Sequence, residues 1–344
     1  MKTNNNNNNG TNSNNIVNVR SLAAKKAWKT IRRKRLERLI KYNRPLEYYN
    51  FDIDRGKVTY AYYEIRAPLI KPSKLTFNDG EGKELSDGYA LNFAIGCTHA
   101  CRFCYVDSIH KRFTLSRLNN NDAIARSWGM YLLIPSKESF EEALSKTPWH
   151  RWKGKEVMLS STHDPYLPEL AKEGYTRRIL EESLPEGVRY CIQTRSTLVK
   201  DDFDLLLKYK DQIRLQYSIA TLNNELARLI EPRVPSPKSR LNILKEASDK
   251  GLRVGVIVAP ILPFQGWLDE LVQIFKELSS IKNIEVYGES IHVRGPNMEY
   301  MQEIGLPIDT KYLPKFDKLV GDHFNALLTR YGLKGRYWYE YSSI

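Results

Sequence analysis

The chain has 344 residues, a length that suits one catalytic α/β domain with short extensions. Its 42% hydrophobic and 11% aromatic residues are typical of a folded globular protein and exclude a largely disordered chain. Four cysteines are too few for a secreted disulfide scaffold, and the sequence has no run of about 18 apolar residues that could span a bilayer. We therefore expect a cytoplasmic protein without a membrane partner.

The formal net charge of +13 is concentrated near the start of the sequence. Residues 1–44 hold 12 Lys or Arg and a single acid, Glu37, whereas 41 basic and 39 acidic residues follow from Pro45 onward. Residues 1–15 are mostly Asn and are expected to be a disordered tail, and residues 16–45 are predicted to form a basic helix. This helix either docks on the body or binds DNA or RNA as an arm, and an organellar transit peptide is a further alternative.

The body alternates between strand patterns and helical patterns. After a predicted cover segment at 46–87, six strands are predicted at 89–95, 157–160, 189–193, 213–219, 254–258 and 284–286. Helices are predicted between strands at 171–184, 237–250 and 267–278. Repeated βα units produce a parallel sheet, and six units predict a partial (βα)6 TIM-like barrel as a catalytic core over 88–300. Residues 301–344 are predicted to add a helix and an aromatic segment that forms a closing strand or a lid.

Three cysteines, Cys97, Cys101 and Cys104, form a CxxxCxxC motif directly after the first predicted strand. Loops at the carboxyl ends of parallel strands form the active face of such folds, so we expect the motif at the barrel mouth. A [4Fe–4S] cluster ordinarily takes four thiolates, and three leave one iron open. The open iron can bind the amino and carboxylate groups of S-adenosylmethionine. The alternative is a structural zinc site with His99 or His110 as the fourth ligand.

The fourth cysteine, Cys191, lies within the predicted strand at 189–193. Its simplest interpretation is a buried core thiol. By strand alternation it shares a face with Gln193 and Arg195. If that face lines the barrel, the Cys191 thiol is a candidate donor of a hydrogen atom to a substrate radical.

An aromatic residue follows the last cysteine of the motif, and further characteristic segments lie at 161–168, 193–196, 218–221, 231–236 and 258–261. On these segments the chain resembles the radical S-adenosylmethionine (radical SAM) superfamily, and within it the spore photoproduct lyase-like group. The resemblance implies that Cys97, Cys101 and Cys104 bind the cluster, that Tyr105 is a catalytic aromatic beside them, and that an electron donor such as ferredoxin or flavodoxin reduces the cluster. It also implies contacts to S-adenosylmethionine from Ser161, Thr162, Asp164, Arg195, Ser218 and Arg233.

For Ser161, Ser218 and Arg233 a purely structural role is the alternative. Three positions also depart from the family pattern. Ser161 stands where spore photoproduct lyase has the cysteine that donates a hydrogen atom, and an O–H bond is too strong to donate one efficiently. Phe103 stands where the resemblance implies tyrosine, and Arg195 stands where it implies lysine.

The sequence as a whole predicts an enzyme that generates a 5′-deoxyadenosyl radical for hydrogen abstraction. A lyase-like reaction on DNA is favoured by the resemblance and by the basic N-terminal segment. Modification of RNA or of a protein is the first alternative. The second is a nucleic-acid-binding protein with a structural metal site.

Overall fold

A computed structural model describes residues 58–73, 85–116 and 127–341. The predicted Asn-rich tail, the predicted basic helix and much of the predicted cover segment lie outside the described residues. Within the described ranges, no helix combines the length and the apolar composition needed to cross a bilayer.

The core is an open sheet of eight strands in the order β10-β9-β8-β7-β6-β5-β3-β2. The strands of the described residues are β1 Thr59–Tyr63, β2 Ile70–Pro72, β3 Tyr89–Leu91, β4 Tyr131–Pro135, β5 Glu156–Leu159, β6 Arg189–Thr194, β7 Ile213–Ser218, β8 Arg253–Ile261, β9 Glu285–Ser290 and β10 Lys334–Tyr337. Among the residues that the structure describes, β2 is the only strand of this sheet that runs antiparallel to its neighbour. The six predicted strands correspond to β3 and β5–β9, which confirms the predicted α/β fold with a parallel sheet.

Helices connect the parallel strands. They are α1 Val106–Ile109, which continues as a π-helical stretch His110–Leu115, α2 Lys137–Lys146, α3 Pro168–Glu173, α4 Tyr175–Ser183, α5 Phe203–Lys208, α6 Asn224–Ile230, α7 Pro237–Asp249, α8 Trp267–Leu278, α9 Asn297–Glu303 and α10 Leu313–Tyr331. Where the sequence predicts one helix at 171–184, the structure has α3 and α4. Gly174 separates them because its φ of 71° is left-handed, a conformation that glycine adopts without strain.

The first predicted strand is shorter than expected, since the sequence pattern runs over 89–95 and β3 ends at Leu91. The chain then leaves the main sheet, and Ile95 forms an antiparallel bridge with Leu133 of β4. The β4 strand also pairs in parallel with β1, which makes a separate two-stranded sheet beside the main one. This second sheet carries the loop that follows β3, as described below.

The aromatic segment near the C-terminus begins as a strand. The β10 strand pairs in parallel with β9, and Tyr337 at its end is buried. Gly335 is required here, because a Cβ atom at its position would lie 1.7 Å from the carbonyl oxygen of Val286. The ring of Trp338 then stacks on Tyr287, with 5.3 Å between the ring centroids and 2° between the planes. Residues 334–337 thus form an edge strand of the sheet next to β9, and Trp338, Tyr339 and Glu340 after it belong to the lining of the cavity described below.

Candidate cofactor site

The cysteine loop lies between the end of β3 and α1, and it packs against β4. Gly96 has a φ of 96°, and a Cβ atom there would lie 2.4 Å from the carbonyl oxygen of Tyr131. A Cβ atom on Gly129 would lie 2.2 Å from the Cβ atom of Ala100. These two close approaches pack the loop against β4 and the turn before it. Because the loop follows the end of β3, which runs parallel to β5, it lies at the carboxyl end of the main sheet, where the sequence predicts it. Cys97 and Cys101 are buried there.

Arg233 anchors the cysteine loop. Its Nη1 atom donates hydrogen bonds to the carbonyl oxygen of Gly129 at 2.7 Å and to that of Thr98 at 3.4 Å. Arg233 is not among the described residues that line the central cavity. These contacts favour a structural role for Arg233 over a direct contact with the cofactor.

Asp107 anchors the helix that follows the loop, and the sequence analysis did not single it out. Its carboxylate accepts a hydrogen bond from the Tyr131 hydroxyl at 2.8 Å and another from the hydroxyl of Tyr300. Lys111 lies one helical turn away, with 3.1 Å between its Nζ atom and the carboxylate. Asp107 is 1% exposed, so this buried cluster fixes the orientation of α1 directly after Tyr105.

A cavity of about 320 Å³ opens at the carboxyl ends of the parallel strands. It brings together nine of the eleven residues that the sequence analysis proposed for the site. These are Cys97, Cys101, Cys104, Tyr105, Ser161, Thr162, Asp164, Arg195 and Ser218. Cys191 and Arg233 do not belong to its described lining.

Asn92, which follows β3 directly, orients the segment after β5. Its Oδ1 atom accepts the backbone N–H groups of Ser161 at 2.9 Å and Thr162 at 3.1 Å. Its Nδ2 atom donates to the Ser161 hydroxyl at 3.0 Å. The hydroxyl of Ser161 is thereby held at the cavity wall. No sequence pattern indicated this role, because Asn92 is 69 residues away from Ser161 in the chain.

Asp164 connects the ends of two neighbouring strands. One carboxylate oxygen accepts the hydroxyl of Thr194 at 2.7 Å, and the other accepts the backbone N–H of Arg195 at 2.7 Å. The Nδ1 atom of His99, within the cysteine motif, lies 3.4 Å from the same carboxylate. Asp164 thus links the cysteine loop, the end of β5 and the end of β6 at one edge of the cavity.

Arg195 supplies a cation next to the cysteines. Its guanidinium carbon lies 5.5 Å from the centroid of the Phe103 ring, and its Nε atom donates to Glu231 at 2.8 Å. On the neighbouring strand, the hydroxyl of Ser218 accepts a hydrogen bond from the Gln193 side chain at 2.9 Å. These side chains present polar groups to the cavity at the ends of β6 and β7.

The three free thiols of the motif have the donor chemistry that an iron–sulfur cube takes. Burial raises the pKa of Cys97 and of Cys104 to about 12, and it also raises the pKa of Cys101. Metal binding therefore has to displace protons from neutral thiols. No three His, Cys, Asp or Glu side chains within the described ranges converge on a position for a single metal ion. A cube needs no such convergence, because each thiolate binds a different iron.

Cys191 does not belong to the described lining of the cavity. It is fully buried within β6, and its Sγ atom donates to the Oε1 atom of Gln216 at 3.2 Å. Burial raises the pKa of its thiol to about 12. The strand alternation with Gln193 is as predicted, but Gln193 lines the cavity and Cys191 does not. The proposed hydrogen-atom transfer from Cys191 stays a prediction.

The wall opposite the β5 and β6 ends comes from the C-terminal part of the chain, and the sequence analysis did not assign it. Arg294 lies over Tyr105, with 5.6 Å between the guanidinium carbon and the ring centroid. Its Nη2 atom donates to Glu340 at 2.7 Å, and its Nη1 atom lies 3.7 Å from Glu289. Arg294, which follows β9, thus lies between the Tyr105 ring and Glu340 in the segment after β10.

The comparison with protein families finds the radical SAM superfamily over residues 91–303. The uncharacterised protein ORF301 of Acidianus two-tailed virus is 54% identical over 301 residues, covering 86% of this chain and 98% of the relative. An uncharacterised protein of Methanocaldococcus jannaschii is 29% identical over 175 residues, covering 51% of this chain and 61% of the relative.

Solved structures with a similar fold include spore photoproduct lyase. One variant of that enzyme has a TM-score of 0.56 at 16% identity, covering 76% of this chain and 78% of the other. The same enzyme complexed with dinucleoside spore photoproduct has a TM-score of 0.54 at 16% identity, covering 77% and 79%. At such identities the similarity shows the fold alone. Because the family model matches more than half of the sequence, this chain belongs to the radical SAM superfamily, whose members use a [4Fe–4S] cluster and S-adenosylmethionine.

Proposed function

We propose that Cys97, Cys101 and Cys104 hold the [4Fe–4S] cluster of this enzyme and that the adjoining cavity binds S-adenosylmethionine. The observation that carries the proposal is the position of three thiols of one loop at a cavity on the carboxyl edge of a parallel sheet. When bound, the cluster and the cofactor supply a 5′-deoxyadenosyl radical that abstracts a hydrogen atom from a substrate.

The residues of this chain then have distinct roles. Ser161 and Thr162, oriented by Asn92, offer hydroxyl groups to the amino end of the cofactor. Arg195 offers a guanidinium, which pairs with a carboxylate. Tyr105 faces the cavity beside the cluster ligands, and burial raises its pKa to about 12, so its phenol stays protonated at neutral pH.

Anaerobic reconstitution tests this assignment. Wild-type protein is expected to bind four irons and four sulfides per chain and to release 5′-deoxyadenosine after addition of dithionite and S-adenosylmethionine. Replacing Cys97, Cys101 and Cys104 together with serine should abolish both results. The matched control is Cys191→Ser, which should retain the cluster. A wild-type protein that binds zinc without sulfide, or one that releases no 5′-deoxyadenosine, would support a structural metal site instead.

For the substrate we propose a nucleic acid, with DNA favoured over RNA. The support is the likeness in fold to a lyase that was solved with a dinucleoside photoproduct, together with the basic residues in 1–44. Arg294 is ion-paired with Glu289 and Glu340, so this wall offers little attraction to a phosphate. A base is therefore expected to enter the cavity while the sugar–phosphate backbone stays outside.

Ser161 and Phe103 argue against repair of thymine photoproducts by the route of spore photoproduct lyase, unless Cys191 supplies the hydrogen atom in place of the cysteine at the Ser161 position. We propose instead a different radical reaction on a nucleic acid, driven by a ferredoxin- or flavodoxin-type electron donor in the cytoplasm. Ultraviolet-irradiated DNA, undamaged DNA and bulk RNA should be compared for substrate-dependent formation of 5′-deoxyadenosine. Stimulation by a peptide pool, with none of the three nucleic acids active, would favour a protein substrate.

A further inference from the structure

Glu231, which follows α6, lies between two arginines in the interior. Its Oε1 atom accepts a hydrogen bond from Arg195 Nε at 2.8 Å, and its Oε2 atom accepts one from Arg240 Nη2 at 2.6 Å. Glu231 is 1% exposed and Arg240 is fully buried. A carboxylate that is completely removed from water is stable only when both of its oxygens are paired in this way.

Arg240 connects this pair to the sheet. It belongs to α7, which begins after Ser236 because the Ser236 side chain accepts the backbone N–H of Ser239. The Nη1 atom of Arg240 donates to the carbonyl oxygen of Ser218 at 2.5 Å, at the end of β7. Through Arg240, Glu231 is therefore held at a fixed position relative to the ends of β6 and β7.

The fixed position of Glu231 determines how the side chain of Arg195 is oriented. Glu231 binds its Nε atom, and the ring of Phe103 lies 5.5 Å from its guanidinium carbon. Within the described residues the structure gives the two terminal nitrogens of Arg195 no hydrogen bond, although Arg195 lines the cavity. The forked N–H edge of the guanidinium is thus left for a ligand, and this edge matches a carboxylate.

We infer that Glu231 is a positioning residue, which orients the guanidinium of Arg195 so that its terminal N–H groups bind the carboxylate of S-adenosylmethionine. This inference rests on the proposed function. It also gives a physical reason for arginine at a position where the family resemblance implies lysine. A lysine ammonium also has three N–H donors, but they leave a single nitrogen without a fixed planar arrangement. It therefore lacks the paired N–H edge with which a guanidinium can bind a carboxylate in a bidentate way while its Nε–H binds Glu231.

A simpler explanation is that the network only stabilises the fold. A double-mutant cycle separates the two explanations, because residues that act through one another give non-additive effects. The variants are Glu231→Gln, Arg195→Gln and the double variant, each reconstituted anaerobically with its cluster. The control is Glu141→Gln, which removes an exposed carboxylate that pairs with Arg178. The measurements are the dissociation constant for S-adenosylmethionine by equilibrium dialysis and the change that the cofactor causes in the EPR spectrum of the reduced cluster.

Each single variant is expected to bind S-adenosylmethionine about tenfold more weakly than wild type, the effect of losing one aligned charge-assisted hydrogen bond. The double variant should bind no more weakly than Arg195→Gln. Glu141→Gln should bind like wild type. Unchanged affinity in Glu231→Gln, or a double variant whose loss is the product of the two single losses, would overturn the inference.

Removal of Glu231 alone leaves the buried Arg240 and the partly exposed Arg195 with one partner fewer each, so that variant can fail to fold. Arg195→Lys keeps the charge at a position that is partly exposed, and it provides a second test. It should retain the iron and sulfide content of wild type and bind S-adenosylmethionine about tenfold more weakly. Wild-type affinity in Arg195→Lys would overturn the inference on its own. A wild-type enzyme that carries the cluster and binds no S-adenosylmethionine would instead overturn the proposed function.

Discussion

Asp317 in α10 connects β10 and the residues directly after it to the end of β9 through hydrogen bonds. Its Oδ1 atom accepts the hydroxyls of Ser290 at 2.7 Å and Tyr337 at 2.6 Å. Its Oδ2 atom accepts the backbone N–H groups of Glu340 at 3.0 Å and Tyr341 at 3.3 Å. Asp317→Asn preserves the size of the side chain but places an amide NH₂ group where a carboxylate oxygen now accepts hydrogen bonds. We expect this substitution to loosen β10 and the cavity wall that follows it.

The magnitude follows from the pKa of Asp317. Burial alone would raise this pKa, but interactions with His292, Tyr337 and Ser290 outweigh burial and lower it from 3.8 to about 2. A shift of this size corresponds to roughly 2 to 3 kcal/mol of stability from the ionised form. Because the folded pKa is below the unfolded one, the contribution is complete above about pH 5, falls to about half at pH 3 and is lost as the pH drops through the folded pKa.

Urea unfolding of cluster-free protein, followed by tryptophan fluorescence, measures the effect. At pH 7 Asp317→Asn should be less stable than wild type by about 2 to 3 kcal/mol, and the difference should narrow to about half at pH 3. Asp322→Asn is the matched control, because Asp322 is exposed on the same helix, and its change should stay within about 0.5 kcal/mol. Equal stabilities of Asp317→Asn and wild type at pH 7, or a difference that persists undiminished at pH 3, would refute this account.

Three further predictions concern other parts of the molecule. Because Cys191 is fully buried and burial raises the pKa of its thiol to about 12, iodoacetamide should alkylate it only after the protein unfolds. Mass spectrometry measures the alkylation, and rapid labelling of the folded protein would contradict the structure. Arg233→Ala should destabilise the protein by about 2 kcal/mol and lower its iron content after reconstitution, whereas Arg178→Ala should change neither. A weaker affinity for S-adenosylmethionine in Arg233→Ala with unchanged stability would instead indicate a direct cofactor contact. Deleting residues 1–44 should leave formation of 5′-deoxyadenosine intact and reduce salt-dependent binding to DNA or RNA in filter-binding assays, and unchanged nucleic-acid affinity would exclude the arm hypothesis.

The sequence determined the local elements well because their signals are local. Apolar runs with helical stretches between them predicted β3 and β5–β9, and the 267–278 pattern predicted α8 from its first to its last residue. The cysteine motif was equally informative, since its position after the first strand predicts a place on the active edge of a parallel sheet. The error at the first strand has a tertiary cause, because Ile95 pairs with Leu133 instead of continuing β3.

The sequence could not supply the partners of the polar site residues. Tyr300 lies 193 residues from Asp107, and Asn92 lies 69 residues from Ser161, so neither contact leaves a periodic signal in the chain. Many carboxylates and amides in the sequence have the right chemistry for each role. The order of the strands decides which of them meet.

Within β6, the sequence also could not predict whether Cys191 lines the cavity. Alternation predicted which face it shares with Gln193, but of these two residues only Gln193 belongs to the described lining of the cavity. The sequence by itself therefore indicated the parallel sheet through its periodicity, the cysteine motif through its spacing, and the family through the resemblance of its characteristic segments. Only the tertiary structure decided that Glu231 meets Arg195, that Arg294 meets Tyr105 and that β10 joins β9, because such contacts depend on packing between distant segments.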